Sequence, residues 1–214
     1  LDQFAGNPCF VALDLASKGD LNAIAYLFPE EGGNYALFAD FFLPEEALES
    51  VHNADVYRGW SERGWITLTP GGIVDFDAIE ERLLERARLF DVRECPYDPF
   101  QASQLVGHLA DAGLKMVEFG ATVKNFSEPF KTFIALVDAG KVRHNANPVL
   151  TWCVSNTVCF TDAKDNIFPR KDRYEYKIDG AVAAIMAFGR ALAVPEDEAG
   201  GLITQGFVDL WGGL

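Results

Sequence analysis

Long apolar runs are missing from this 214-residue chain: no stretch approaches the roughly 18 to 20 uninterrupted apolar residues of a membrane span, and no basic-then-apolar signal pattern opens it. The expectation is a soluble protein working inside a cell. Basic residues are scarce too, 18 Lys and Arg against 32 Asp and Glu, for a net charge of −14. Strong, general binding of nucleic-acid phosphates is thereby excluded, so any nucleic-acid role has to be local or metal-assisted. The four cysteines, Cys9, Cys95, Cys153 and Cys159, form no C-x-x-C pair, and the three histidines complete no zinc spacing with them. Each cysteine has apolar neighbours, so all four read as reduced core thiols. Internal repeats and low-complexity segments are absent. So is a G-x-x-x-x-G-K-[ST] phosphate loop, and ATP binding cannot be assigned to these residues.

What is present, 49% hydrophobic and 23% charged residues, suits one globular core. Residues 8–17, 21–28 ("LNAIAYLF") and 34–43 ("NYALFADFFL") read as three strands joined by the turn-forming "SKGD" and "PEEGGN", an antiparallel meander. Pro44, followed by Glu45 and Glu46, marks a helix start. Residues 54–74, rich in aromatics and glycine without clean periodicity, read as an excursion from the core. A helix follows over 75–90, with Phe76, Ile79, Leu83 and Leu84 at helical spacing. Next come a short strand ending at Asp98, a helix over about 99–112, a fifth strand near 114–119 and a helix from Pro129 to Ala139. That alternation implies parallel pairing through crossovers.

The segment "NPVLTWCVSNTVCF" reads as helix because Val149, Trp152, Cys153 and Asn156 fit its period. Residues 161–177 read as a loop or small hairpin, and 178–192 as a helix of mostly small residues with Ile178, Val182, Ile185 and Met186 as its buried stripe. The predicted class is α/β: a mixed five-stranded sheet, three antiparallel strands plus two parallel ones, flanked by helices on both faces over residues 1–194. An acidic, Gly-rich tail over 195–214, with one apolar patch, "FVDLW", is expected to be flexible.

Three carboxylates stand out. Asp14 interrupts the apolar run "CFVALDL", and alternation puts it on the face of Phe10, Ala12 and Ala16, where the two alanines leave room for an ion. A buried aspartate satisfied by turn amides explains it equally. Asp98 in "YDPFQ" can cap the next helix, with Pro99 at the first helical position and Gln101 closing a capping box. The same position lies at the carboxyl end of a strand, where open α/β sheets place ligand sites. Asp179 opens the last helix, whose dipole it complements, and Gly180, Ala181, Ala183 and Ala184 let that helix lie close to a sheet. Gathered together, three such charges are tolerable only with divalent cations between them.

The segments "ALDLASKGDLNAIAYLFP", "CPYDPFQASQLVGHLADAGL", "SEPFKTFIALVDAGKVRHNANPVLTWCVSN" and "KIDGAVAAIMAFGRA", in that order, resemble the C-terminal nuclease domain of large terminase subunits of tailed bacteriophages, in the ribonuclease H-like superfamily. The similarity spans about residues 8–192. It implies a metal-dependent DNA endonuclease that cuts concatemeric viral DNA during genome packaging. Asp14, Asp98 and Asp179 then form its metal-binding, catalytic triad, with two divalent cations, Mg2+ or Mn2+, as cofactors. Asp20 matches a further acidic position in some relatives, although a polar turn residue is the simpler reading. The implied partners are double-stranded DNA, an ATPase motor domain outside this chain, the portal and the small terminase subunit. The implied location is the host cytoplasm, away from membranes. Candidate phosphate contacts are Lys141, Arg143 and His144 in "KVRH", and Arg170, Lys171, Arg173 and Lys177 in "RKDRYEYK". Two other functions stay open at this stage. One is a docking module using "FVDLW" or the aromatic excursion; the other is a ribonuclease H-like recombinase or junction resolvase.

Overall fold

In a computed structural model, which describes residues 1–16, 19–50, 52–100 and 103–194, β1 (Pro8–Asp14), β2 (Asn22–Glu30) and β3 (Asn34–Pro44) form the expected meander. β1 and β2 are covered on both faces, which is why their sequences read as nearly continuous apolar runs. Alternation still sorts their side chains. Phe10, Ala12, Ala23, Ala25 and Leu27 enter one core layer; Cys9, Val11, Leu13, Ile24, Tyr26 and Phe28 enter the other. Pro44 ends β3 instead of opening a helix, and the helix after it, α1 (Ala47–Ser50), is a single turn.

The 54–74 segment is not an excursion. It forms α2 (Ala54–Glu62) and β4 (Thr67–Thr69), with Tyr57 and Ile66 buried in the core and β4 paired in parallel with Phe42–Pro44. Next, α3 (Phe76–Leu89) is capped by Asp75, whose carboxylate accepts from the amides of Asp77 and Ala78. β5 (Asp91–Tyr97) joins β1 in parallel. α4 (Ser103–Asp111) follows, and Asp98 Oδ1 accepts the amide of Phe100, two residues on, at 3.0 Å, while Gln101, the far end of the expected capping box, lies outside the described residues. β6 (Met116–Glu118) completes the parallel side of the sheet.

The helix predicted from Pro129 begins two turns earlier, as α5 (Val123–Asp138), capped by Thr122, with Pro129 in its interior. An interior proline forfeits one helical hydrogen bond, which is why it reads as a start. After α5, β7 (Val142–His144) adds in parallel to Tyr35–Leu37, so the sheet has seven strands rather than five. Both extra strands are three residues long, too short for a periodic signal, and together they cover the outer edge of β3. Between them Asn147 fills in: its Nδ2 donates to the Ala39 carbonyl at 3.1 Å while its Oδ1 caps α6 (Pro148–Ser155). The helix read over "NPVLTWCVSNTVCF" stops at Ser155: the β-branched Thr157 and Val158 open β8 (Thr157–Thr161), which pairs with β9 (Ile167–Lys171) in a separate two-stranded hairpin that begins four residues before the loop or hairpin read over 161–177. Cys159 is exposed there, whereas Cys9, Cys95 and Cys153 are buried, and all four are free thiols. The core-thiol reading fails for Cys159 because its strand belongs to a small sheet with exposed positions.

α7 (Asp179–Ala191) is buried almost all round instead of along one stripe, because it lies between β1 and β2 on one side and α5 and α6 on the other. Two glycines permit this: a Cβ on Gly180 would lie 2.7 Å from the Phe41 ring, and one on Gly189 2.6 Å from Phe119. α3 and α4 cover the opposite face of the sheet. The order β4-β3-β2-β1-β5-β6, with helices on both faces, is a ribonuclease H-like arrangement. No helix among the described residues is long and apolar enough to cross a membrane. Residues 195–214, including "FVDLW", lie outside the description.

Candidate functional site

Three independent features bring the carboxylates to one end of the sheet. Asp14 is the last residue of β1 and pairs with Ala23, which in turn pairs with Phe41 of β3. The register of Leu13 with Tyr97 sets Asp98 just past β5, level with Asp14. Gly180 rests on Phe41, so Asp179, one residue earlier, arrives at that same level of the sheet. Asp20 joins them from the β1–β2 turn. That turn is held by the fully buried Asn22, whose Oδ1 accepts the Ala16 amide at 2.8 Å and whose Nδ2 donates to the Asp20 carbonyl at 2.9 Å.

The electrostatics follow from this crowding. Burial pushes the Asp14 carboxyl well above its ordinary value, and the charges of Asp179, Asp98 and Asp20 push it further. Among the described residues no hydrogen bond or ion pair reaches the Asp14 side chain. Asp179 is pushed up to about 7, first by burial and then by Asp20, with its own amide, Lys177 and Lys171 opposing. Asp20 carries a cation of the chain: the Lys177 ammonium sits 2.7 Å from its Oδ1 and 2.8 Å from its Oδ2.

The predicted basic contacts separate into two groups. Lys177 lines one cleft with Arg170, Lys171, Tyr176, Asp20 and Asp179, and Arg173 stands in the same loop, its guanidinium over the Tyr176 ring. Arg170 stacks over Phe160, 3.9 Å from the ring centre. The "KVRH" group is elsewhere: β7 meets β3 at Tyr35–Leu37, four to six residues from Phe41, roughly 13 to 20 Å along the strand. Arg143 is also committed there, its Nε donating to Glu30 at 2.7 Å and its guanidinium lying over Phe4. The fold does not bring Lys141, Arg143 and His144 to the carboxylates.

Four residues at this end escaped the sequence reading. Asn22, Asn147 and Asn156 are buried asparagines that fix backbone, the last by donating to the Lys177 carbonyl at 3.2 Å. Asn147 before Pro148 carries a helix-start signature that could have revealed it. Tyr57 is 1% exposed and packs against Trp60 and Trp152. Burial raises its pKa, and the charges of Asp179 and Asp20 raise it further. Aromatic residues of the supposed excursion are thus spent inside the molecule.

Among the described residues no three His, Cys, Asp or Glu side chains stand as a ready-made ion cage. The donor set nevertheless fits a hard divalent cation. The candidates are all carboxylates, and Asp14 is crowded by three like charges that such an ion would offset.

Comparison with known proteins identifies the family. The family model described as "Terminase large subunit, endonuclease domain" matches residues 1–195. Protein YmfN of Escherichia coli K12 is 37% identical over 210 residues, covering 92% of this chain and 46% of that protein. The large terminase subunit of Enterobacteria phage HK97 is 30% identical over 195 residues, 89% of this chain and 39% of that protein. The chain therefore spans less than half the length of either relative. The crystal structure of the HK97 large terminase superposes with a TM-score of 0.79 at 30% identity, covering 88% of this chain and 40% of that one. The large terminase nuclease of thermophilic phage G20c shares the fold alone, with a TM-score of 0.58 at 10% identity over 85% of this chain and 81% of that one. A ribonuclease H-like sheet, an acidic end and a family match across nearly the whole chain lead to one conclusion: it belongs to the endonuclease-domain family of terminase large subunits.

Proposed function

We propose that this chain is a metal-dependent endonuclease that cuts double-stranded, concatemeric viral DNA during genome packaging. The observation that carries the reading is Asp14: a carboxylate at a strand end that meets Asp98, Asp179 and Asp20, its pKa raised by burial and by their charges, with no cation upon it among the described residues. Family membership supplies the reaction class, and the carboxylate donors favour Mg2+ or Mn2+.

Asp14 would be the central ligand, with Asp98 and Asp179 flanking it. Two divalent ions held there would activate the attacking water and stabilise the leaving 3′-oxygen. The chain's own contribution is to fix these carboxylates on rigid strand and helix ends and to present Arg170, Lys171 and Arg173 beside them as phosphate contacts. The net charge of −14 keeps intrinsic DNA affinity low, so the substrate has to be delivered. An ATPase motor domain outside this chain fits that task, with portal and small terminase subunit as further partners of the whole protein in the host cytoplasm.

The test is incubation of the purified chain with plasmid and Mn2+, beside Asp14→Asn, Asp98→Asn and Asp179→Asn. Each substitution is expected to lower cleavage at least about a hundredfold, since metal-borne charge stabilisation supplies several kcal/mol. Cleavage that survives all three overturns the site, and cutting confined to branched junctions would make the chain a resolvase instead.

A further inference from the structure

Lys177 does not behave like a surface lysine. Its side chain is only 16% exposed, and its ammonium lies on both oxygens of Asp20, at 2.7 and 2.8 Å. A lysine ordinarily keeps its head group in water, so this pair has to be held in place. Buried asparagines hold both partners. Asn156 donates to the Lys177 carbonyl from the end of α6, and Asn22 donates to the Asp20 carbonyl from the start of β2. The Leu21 amide further fixes Asp20 Oδ1 at 2.8 Å.

Both oxygens of Asp20 are thus engaged by the chain, whereas among the described residues nothing engages those of Asp14. Resting on the reading that Asp14, Asp98 and Asp179 hold divalent ions, we infer that Lys177 is a positioning residue: a fixed internal counter-ion that withholds Asp20 from the metal site. Asp20 becomes a ligand only when the ammonium leaves it. The device restrains metal binding, and a DNA phosphate is the anion suited to draw Lys177 away.

The inference is tested by calorimetric titration of Mn2+ into the whole chain without DNA, at high salt so that distant charges are screened. Lys177→Met is expected to bind Mn2+ on the order of tenfold tighter, the effect of freeing one carboxylate beside a divalent ion. Lys177→Gln repeats the test with a polar side chain, Lys177→Arg stays near wild type, and adding Asp20→Asn to Lys177→Met removes the gain. Lys171→Met controls for charge alone, since Lys171 lines the same cleft but forms no ion pair among the described residues. Unchanged or weaker Mn2+ binding in both Lys177→Met and Lys177→Gln overturns the inference. So does an equal gain in Lys171→Met. If Asp14→Asn and Asp179→Asn leave Mn2+ binding untouched, it is the metal-site reading that has failed.

Discussion

The two ends of α7 treat desolvated carboxylates in opposite ways. At its C-terminal end Glu94 of β5 is 3% exposed, receives Arg190 Nε at 2.5 Å and Lys115 Nζ at 2.9 Å, and lies in register with Phe10, four residues before Asp14. Burial pushes the Glu94 pKa up, yet the hydrogen bonds from Arg190 and Lys115 outweigh it and hold the group below its ordinary value. At the N-terminal end Asp14 and Asp179 are half-buried, yet desolvation raises both carboxyls, and like charges add to the rise. Desolvation is common to both ends, so the cations decide. A desolvated carboxylate whose cations belong to the chain pins the fold, whereas one crowded chiefly by like charges marks where a cation from outside fits.

Breaking the satisfied end should cost stability first. Glu94→Gln leaves Arg190 and Lys115 facing a neutral amide and is expected to destabilise the fold by about 2 to 3 kcal/mol, less than the 3 to 5 typical of a fully buried pair because Lys115 reaches water. Urea unfolding measures it, and a loss under about 1 kcal/mol would reduce the pair to an ordinary surface bridge. The two close-packed glycines sharpen the comparison. Gly189→Ala places a methyl 2.6 Å from Phe119 and 3.1 Å from Pro129, which should cost about 1 to 2 kcal/mol of stability. Gly180→Ala, 2.7 Å from Phe41, pushes Asp179 off its level and should lower cleavage about 10- to 100-fold, since displacements near 1 Å have that effect. Equal effects on activity at both glycines would deny that the ends differ.

Much of this contrast was legible in the residues and some was not. The meander and the parallel crossovers follow from apolar strands joined by turn chemistry, and Asp14, Asp98 and Asp179 stand out because a charge in an apolar run or at an element end needs a reason. β4 and β7 were hidden because three-residue strands carry no period and take their place only from the edge they cover. Pro129 misled because local preference was overridden by packing along α5. The pairings of Lys177 with Asp20 and of Arg190 with Glu94 link residues 157 and 96 positions apart. No local spacing encodes such partners; "RKDRYEYK" read as a group of phosphate contacts, with nothing to single out Lys177 as the partner of Asp20.

The smallest effect is the most diagnostic, because the two ends should respond to pH with opposite sign. In chelator-treated protein the raised carboxyls of Asp14 and Asp179 keep protons that the unfolded chain releases near 3.8. The folded state therefore binds more protons, and stability falls as pH rises from about 4 through the Asp179 value of about 7. Glu94, lowered from 4.5, contributes stability that is present above that value and lost as pH falls. Metal-free melting temperature should thus drop by a few degrees between about pH 5 and 7.5, where Glu94 is already fully ionised. General repulsion from the net charge of −14 would slope the same way, so the decisive measurement is the slope in Asp14→Asn and Asp179→Asn. Each neutral isostere removes one group that must ionise in the fold, so it should flatten the curve and melt higher than wild type at pH 7.5. An unchanged slope in both variants would assign the pH dependence to overall charge and leave the acidic end no different from the satisfied one.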